Sequence, residues 1–244
     1  MNAMASAVAV QETWSGNSPS DVPPSGVHSY EGLIPPASSP RRGPGTYDRH
    51  KTADERRSEQ RRALISAAAR VFARDGFAEA SVASILAHTN LSRGTFYRHF
   101  RDLSDVFLAT RQAAADLAFE RVRERMEKEQ QPFEQTRAAL LGFFELIAEE
   151  GDLARVFLRE APHYGSMHEK LHRDTIERFA ELFRSGLRNA KALNLIEEMP
   201  SDNMVYAVVH GIVGMARQYL DSYSESKSAE AVPVLLDLCR RAFA

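Results

Sequence analysis

The stretch from Ser81 to Phe100, SVASILAHTNLSRGTFYRHF, constrains the fold more than any other part of the chain. Its apolar residues fall at helical spacing in two short runs, Val82, Ile85 and Leu86, then Leu91, Phe96 and Phe100. The polar corner His88-Thr89-Asn90 divides them. Ser81 is suited to cap the first short helix, and Asn90 takes φ > 0 at modest cost, as a tight corner requires. The second short helix sets its three apolar residues against Ser92, Arg93, Gly94, Thr95, Tyr97, Arg98 and His99. A helix with core residues on one side and hydrogen-bond donors on the other suits a DNA groove.

The surrounding sequence supplies more helices and no strand. Leu64, Ala68, Val71 and Phe72 place a helix over about Ala53–Arg74, ended by Asp75-Gly76 with Gly76 in a left-handed C′ position. Asp102 caps a long helix from Leu103 to about Gln130, and Pro132 breaks it. Further helices fall at 133–150, Leu153–Glu160, Ser166 to about Ala190, Asp202 to about Ser222, and about Ser228–Phe243. Gly151-Asp152 reads as a C′ glycine followed by an N-cap, Ser166 and Glu169 as a capping box, and Pro233 as a first-turn proline. No β-branched alternating run interrupts the pattern. The predicted fold class is all-α, about nine helices, with a three-helix helix-turn-helix head followed by a helical body.

Residues 1–45 hold seven of the eleven prolines and five of the thirteen glycines and lack hydrophobic periodicity, so this segment is predicted to be a disordered tail. The head then spans 46–103 and the body 104–244. The formal net charge of −2 conceals a strong asymmetry. Residues 41–101 carry thirteen Lys/Arg against six Asp/Glu, a local +7 that coincides with the head. That is an electrostatic footprint for a polyanion. No apolar run is long enough to span a membrane. The lone Cys239 excludes an internal disulfide, and the N-terminal residues lack a secretory pattern, so a cytoplasmic location is expected.

Within the third helix Arg93 can fork to guanine or phosphate, and Thr95 can meet a thymine methyl or a phosphate. Gly94 lets the backbone approach closely, and Tyr97 and His99 can donate to phosphates. Ser81, Ser92, Arg98, Arg61 and Arg101 complete the candidate DNA-binding set.

GTFYRHF, Gly94 to Phe100, resembles the recognition-helix signature of the TetR/AcrR family of bacterial transcriptional regulators. Ala68, Phe72, Asp75, Gly76 and Phe77, with SVASILAHTNLS, resemble that family's first two helices, so the match covers about residues 60–108. The resemblance implies a regulator without enzymatic activity or cofactor. It implies a homodimer on a palindromic double-stranded operator, with recognition helices ~34–36 Å apart in successive major grooves. It further implies a repressor released by a small-molecule effector held in the body. The candidate dimer residues are Val209, Gly211, Ile212, Gly214, Met215, Leu235 and Leu238. The candidate effector residues are Phe107, Arg111, Phe143, Phe144, Phe157, His163, Tyr164, Phe179, Phe183, Tyr206 and His210, an apolar set suited to an acyl or polycyclic compound. The family usually carries Gly where this chain has Asn90, and Lys where it has Leu103; Arg101 is the candidate substitute for that Lys.

A second reading attaches to His168-Glu169-Lys170-Leu171-His172, which fits H-E-x-x-H. That spacing places two imidazoles on one helix face, as zinc hydrolases require. A metal-responsive regulator using His163, His168 and His172 is the milder form of this alternative.

Overall fold

The computed structural model describes residues 52–159, 166–220 and 225–243, with 166–167 and 225–229 described by backbone only. They form nine helices and no strand: α1 Ala53–Glu79, α2 Val82–Leu86, α3 Arg93–His99, α4 Leu103–Glu127, α5 Pro132–Glu149, α6 Gly151–Leu158, α7 Ser166–Ala192, α8 Asp202–Tyr219 and α9 Glu225–Phe243. The protein is thus all-α, as its periodicity requires.

Caps fix the ends of the head helices. Thr52 and Glu55 cap α1 reciprocally, the Glu55 N–H donating to Thr52 Oγ1 at 3.2 Å and the Thr52 N–H to Glu55 Oε2 at 2.7 Å. Ser81 and Ser84 do the same for α2, and Ser92 and Asp102 cap α3 and α4. Gly76 has φ 76° and ψ 175°, the mirror-extended region open only to glycine, rather than the left-handed helical cap expected. The chain kinks there, and Phe77–Glu79 add one more turn.

Asn90 is not in a left-handed conformation; among the described residues only Asn194 and Gly76 have positive φ. Thr89 closes the corner instead. Its hydroxyl donates to the Leu86 carbonyl and accepts from the Leu91 N–H, both at 3.2 Å. The glycine usual at this corner is therefore not needed. Gly151 likewise has no positive φ and opens α6, with Glu150 as the N-cap. Pro233 sits in the interior of α9, which begins earlier than its sequence signals indicate. Ser166 lies at the backbone-only start of α7, so its cap is outside the described side chains.

The head closes around Leu64, Val71, Phe72, Ile85, Phe96 and Phe100, all buried. Val106 and Phe107 of α4 and Val156 of α6 belong to the same buried group, so the head shares its core with the body's first helices. Leu103 is half-buried against that core, where a lysine would not pack. The Phe107 ring meets Phe72 edge-on at 4.8 Å and Phe77 at 5.0 Å. A buried aromatic of this kind contributes about 1.5–3 kcal/mol over an exposed one. In the body, α5 packs antiparallel along α4, with Arg121–Glu149 at 2.9 Å marking the register. α7 and α8 pack around Ile176, Ala180, Leu187, Val205 and Val209.

Candidate nucleic-acid interface and effector cavity

The third helix divides its side chains between the core and the surface. Phe96 is fully buried and Phe100 nearly so. Ser92, Arg93, Gly94, Tyr97 and Arg98 are exposed, Tyr97 by 54% despite its aromatic ring. That ring stands edge-on to Phe96 at 5.4 Å, which aims the phenol outward. A Cβ added at Gly94 would meet only Ser92 Oγ, at 3.8 Å, so nothing inside the subunit demands glycine here.

Thr95 differs from its expected role. It is 6% exposed, and its hydroxyl lies 3.0 Å from Ser92 Oγ while accepting from Arg98 Nη2 at 3.0 Å. A side chain so enclosed cannot reach a base; it fixes Ser92 and Arg98. His99 is also tied inward, Nε2 to Gln60 Oε1 of α1 at 3.2 Å. Burial first, and then Arg57, Arg61 and Arg98, push its imidazole below the ordinary histidine value, which favours the neutral form. Arg61 lies over the Phe100 ring at 4.7 Å, which anchors a cation of α1 beside α3. Ser81 is exposed and spent on the α2 cap. Arg101 is nearly free of burial, with its Nε 3.6 Å from Asp105.

The body holds an apolar cavity of about 240 Å³ between α4, α5, α7 and α9. Phe179 and Phe183 line it, with Val122, Met126, Phe133 and Leu236. A smaller void of about 40 Å³ shares Val122, Ala139, Phe179 and Phe183 and adds Phe143, Phe157, Val209 and Val213. Four of the expected effector residues therefore meet at one place. Cys239 lines the larger cavity, its thiol pushed up to about 11 by burial, so it is an unreactive apolar wall. Val122, Met126 and Leu236 are not among the expected effector residues; the packing of the helices is what places a void between them.

The other expected effector residues fall elsewhere. Phe144 is fully buried in the core, and Phe107 belongs to the head junction. Tyr206 donates to Glu177 under the Arg184 guanidinium, on the outer α7–α8 seam. Arg111 and His210 both lie beside His172, toward the head end of the body. His163 and Tyr164 lie outside the described residues. Of the dimer candidates, Gly211, Gly214 and Leu238 are exposed and Met215 half-buried. Val209 and Leu235 are 3% and 0% exposed, and Ile212 is buried as well; these three complete the subunit's own core.

The H-E-x-x-H segment does not converge. His168 is buried with its ring 5.5 Å from Phe107, whereas Glu169 and His172 are exposed. Arg111 adds positive charge beside both imidazoles, which opposes a second cation. Among the described residues no group of three or more His, Cys, Asp or Glu is placed to hold a metal. No described helix is long and apolar enough to cross a membrane.

A capped helical corner presenting an exposed Tyr/Arg helix on an all-α body is the arrangement of a helix-turn-helix DNA-binding head. Residues 64–110 match the family model described as bacterial regulatory proteins, tetR family. The head therefore carries the TetR-family match over residues 64–110, and the fold as a whole is similar to that of solved TetR-type regulators. The fatty acid degradation regulator FadR from Bacillus halodurans superposes with a TM-score of 0.66 at 17% identity, over 73% of this chain and 93% of that one. FadR from Bacillus subtilis in complex with stearoyl-CoA gives 0.64 at 18% identity, over 72% and 95%. The ketosteroid regulator KstR2 of Mycobacterium tuberculosis gives 0.57 at 17%, over 76% and 95%. At these identities the likeness is one of fold. No curated protein sequence matches the chain.

Proposed function

We propose that this regulator is a repressor that binds a palindromic operator as a homodimer and leaves it when an apolar effector fills the body cavity. The observation that carries the DNA half is the outward Tyr97, 54% exposed on a helix whose other face is core. Beyond its edge contact with Phe96, the exposed ring beside Arg93 and Arg98 is not used in the subunit's own core, and it fits phosphate contact with direct readout by Arg93 alongside. Arg61 and Arg101 would add phosphate contacts at the flanks. Thr95 and His99 would act by positioning.

The cavity favours a slim effector over a bulky one. At about 240 Å³ it falls below the ~300–1,000 Å³ of typical drug-sized pockets, so an acyl chain fits better than a fused-ring skeleton. The effector would act through a coupling of ~1–3 kcal/mol between cavity and operator. Tyr97→Ala tests the DNA half. The ring is exposed, so thermal stability should hold, while operator affinity in a gel-shift assay should fall at least tenfold. Unchanged affinity would remove Tyr97 from the interface and the docking geometry with it.

A further inference from the structure

Three helices bring basic side chains near one another. α4 contributes Arg111, α7 His168 and His172, and α8 His210 and Arg217. The His172 and His210 rings stand 6.2 Å apart, and His168 lies 5.5 Å from Phe107. Arg217 Nε donates to the Leu158 carbonyl at 2.8 Å, which fixes α8 beside the end of α6. Arg111 is largely enclosed, and among the described residues its guanidinium makes no hydrogen bond or ion pair. This is unusual in this chain, where Arg121, Arg125, Arg178 and Arg184 all pair with carboxylates. An enclosed guanidinium without a counter-ion is costly unless something supplies one. Burial and then Arg217 push the Arg111 pKa down; burial and then Arg111 do the same to the two α7 imidazoles. Two guanidiniums are thus held near one another among imidazoles whose neutral forms are favoured.

The set lies in line with the apolar cavity. Along α7, Phe183 and Phe179 line the cavity, and His172 and His168 follow seven and eleven residues before Phe179, roughly 10 and 16 Å at 1.5 Å per residue. Along α8, Val213 lines the smaller void, with His210 and Arg217 within about a turn on either side. Phe157 lines the same void, and the next residue, Leu158, holds Arg217. From Arg111 to Met126, α4 spans roughly 22 Å. Apolar walls at one end and two guanidiniums among imidazole donors at the other describe a site for one long, thin, amphipathic ligand.

We propose that the effector is a single-chain amphipathic anion, its tail in the α4–α5–α7–α9 cavity and its carboxylate or phosphate head on Arg111, with His172 and Arg217 beside it. The assignment rests on the effector-controlled reading above and adds the head's charge and position. A charge-assisted, forked contact is strong and orientation-specific, which suits a head that must register correctly. It would also set the anion next to Arg217 and its bond to α6, the helix that shares the head's core.

Calorimetry on the full chain without DNA tests this with laurate, dodecyl phosphate and dodecanol, which share a tail length. At least one of the two anions should bind tenfold or more tightly than dodecanol, a difference of about 1.4 kcal/mol. Arg111→Met, which keeps the bulk of the side chain, should bring the three within threefold of one another. Circular dichroism would show whether that variant folds; Arg217→Met, at a more exposed position, provides a second variant that should reduce the preference. Equal binding of anions and dodecanol by the native protein, or no binding by any, overturns the assignment. A gel shift run in parallel separates the two readings. If laurate and dodecanol release the operator equally, effector control stands and the anionic head falls. If the protein binds no DNA, the regulatory reading falls while the calorimetric preference is still measured.

Discussion

Thr95 shows how much a single buried hydroxyl can do for a surface. By type it belongs with Ser92 and Arg93 as a groove contact, and its place in a polar helix gives no sign otherwise. Its burial comes from register: it precedes the buried Phe96 and stands three residues after Ser92, so its oxygen lies between Ser92 Oγ and Arg98 Nη2. Thr95→Val keeps the shape and removes those two contacts, at a cost of about 1 kcal/mol in stability. Operator affinity should fall severalfold because Arg98 loses its anchor, while the preferred operator sequence stays the same. A binding-site selection that returned a different sequence for the variant would restore Thr95 as a base-reading residue. Asn90 carries a related lesson. Asparagine permits a left-handed corner but does not require one, and the neighbouring Thr89 side chain closes the turn with ordinary backbone angles.

At the scale of elements, the helices were readable because each announces itself locally. Thr52, Ser81, Ser92, Asp102 and Ser201 accept from N–H groups in the first turns of their helices, and Pro132 opens α5 where its missing N–H costs least. The cavity and the cation set were less readable, because periodicity identifies an inward face but not the neighbours that leave space behind. His168 and His172 carry in sequence only the alternative reading of a metal pair; the packing of α4 and α8 is what sets Arg111, His210 and Arg217 near them. The same packing joins body to head. Arg217 holds the Leu158 carbonyl, and the adjoining Arg159 Nη1 donates to the Ala73 carbonyl of α1 at 2.8 Å. α6 is thereby bonded to both the effector side and the head. Arg159→Met should leave operator affinity within a few-fold of native, yet weaken the release caused by a bound anion by tenfold or more. Release titrations on both proteins check it; an undiminished response would mean that the signal passes through α4 alone.

At the scale of the whole molecule, α8 and α9 present a surface that the subunit's own core does not explain. Met204 and the α9 residues Val234 and Leu238 are 42%, 56% and 41% exposed, and Gly211 and Gly214 lie open on α8 between them. Leu238 passes 3.6 Å from the Cβ position of Gly211, whereas no atom lies within 4 Å of that of Gly214, so a second subunit's helix has room to approach there. Two such faces related by a two-fold axis would make a four-helix contact, and two heads bound to successive major grooves require some fixed spacing of this kind. Leu235 provides the contrast, being fully buried one turn away and facing inward. A glutamate at 238 would remain solvated in the free subunit but would have to be desolvated in the pair, a cost of several kcal/mol counted over two copies. Leu238→Glu should therefore keep its helical content and sediment as a monomer at micromolar concentration. Its operator affinity should drop by a hundredfold or more, because each head would then bind its half-site alone and lose the gain in effective concentration. Leu235→Glu should unfold the subunit instead. A folded Leu238→Glu protein that still sediments as a dimer would move the interface to another face.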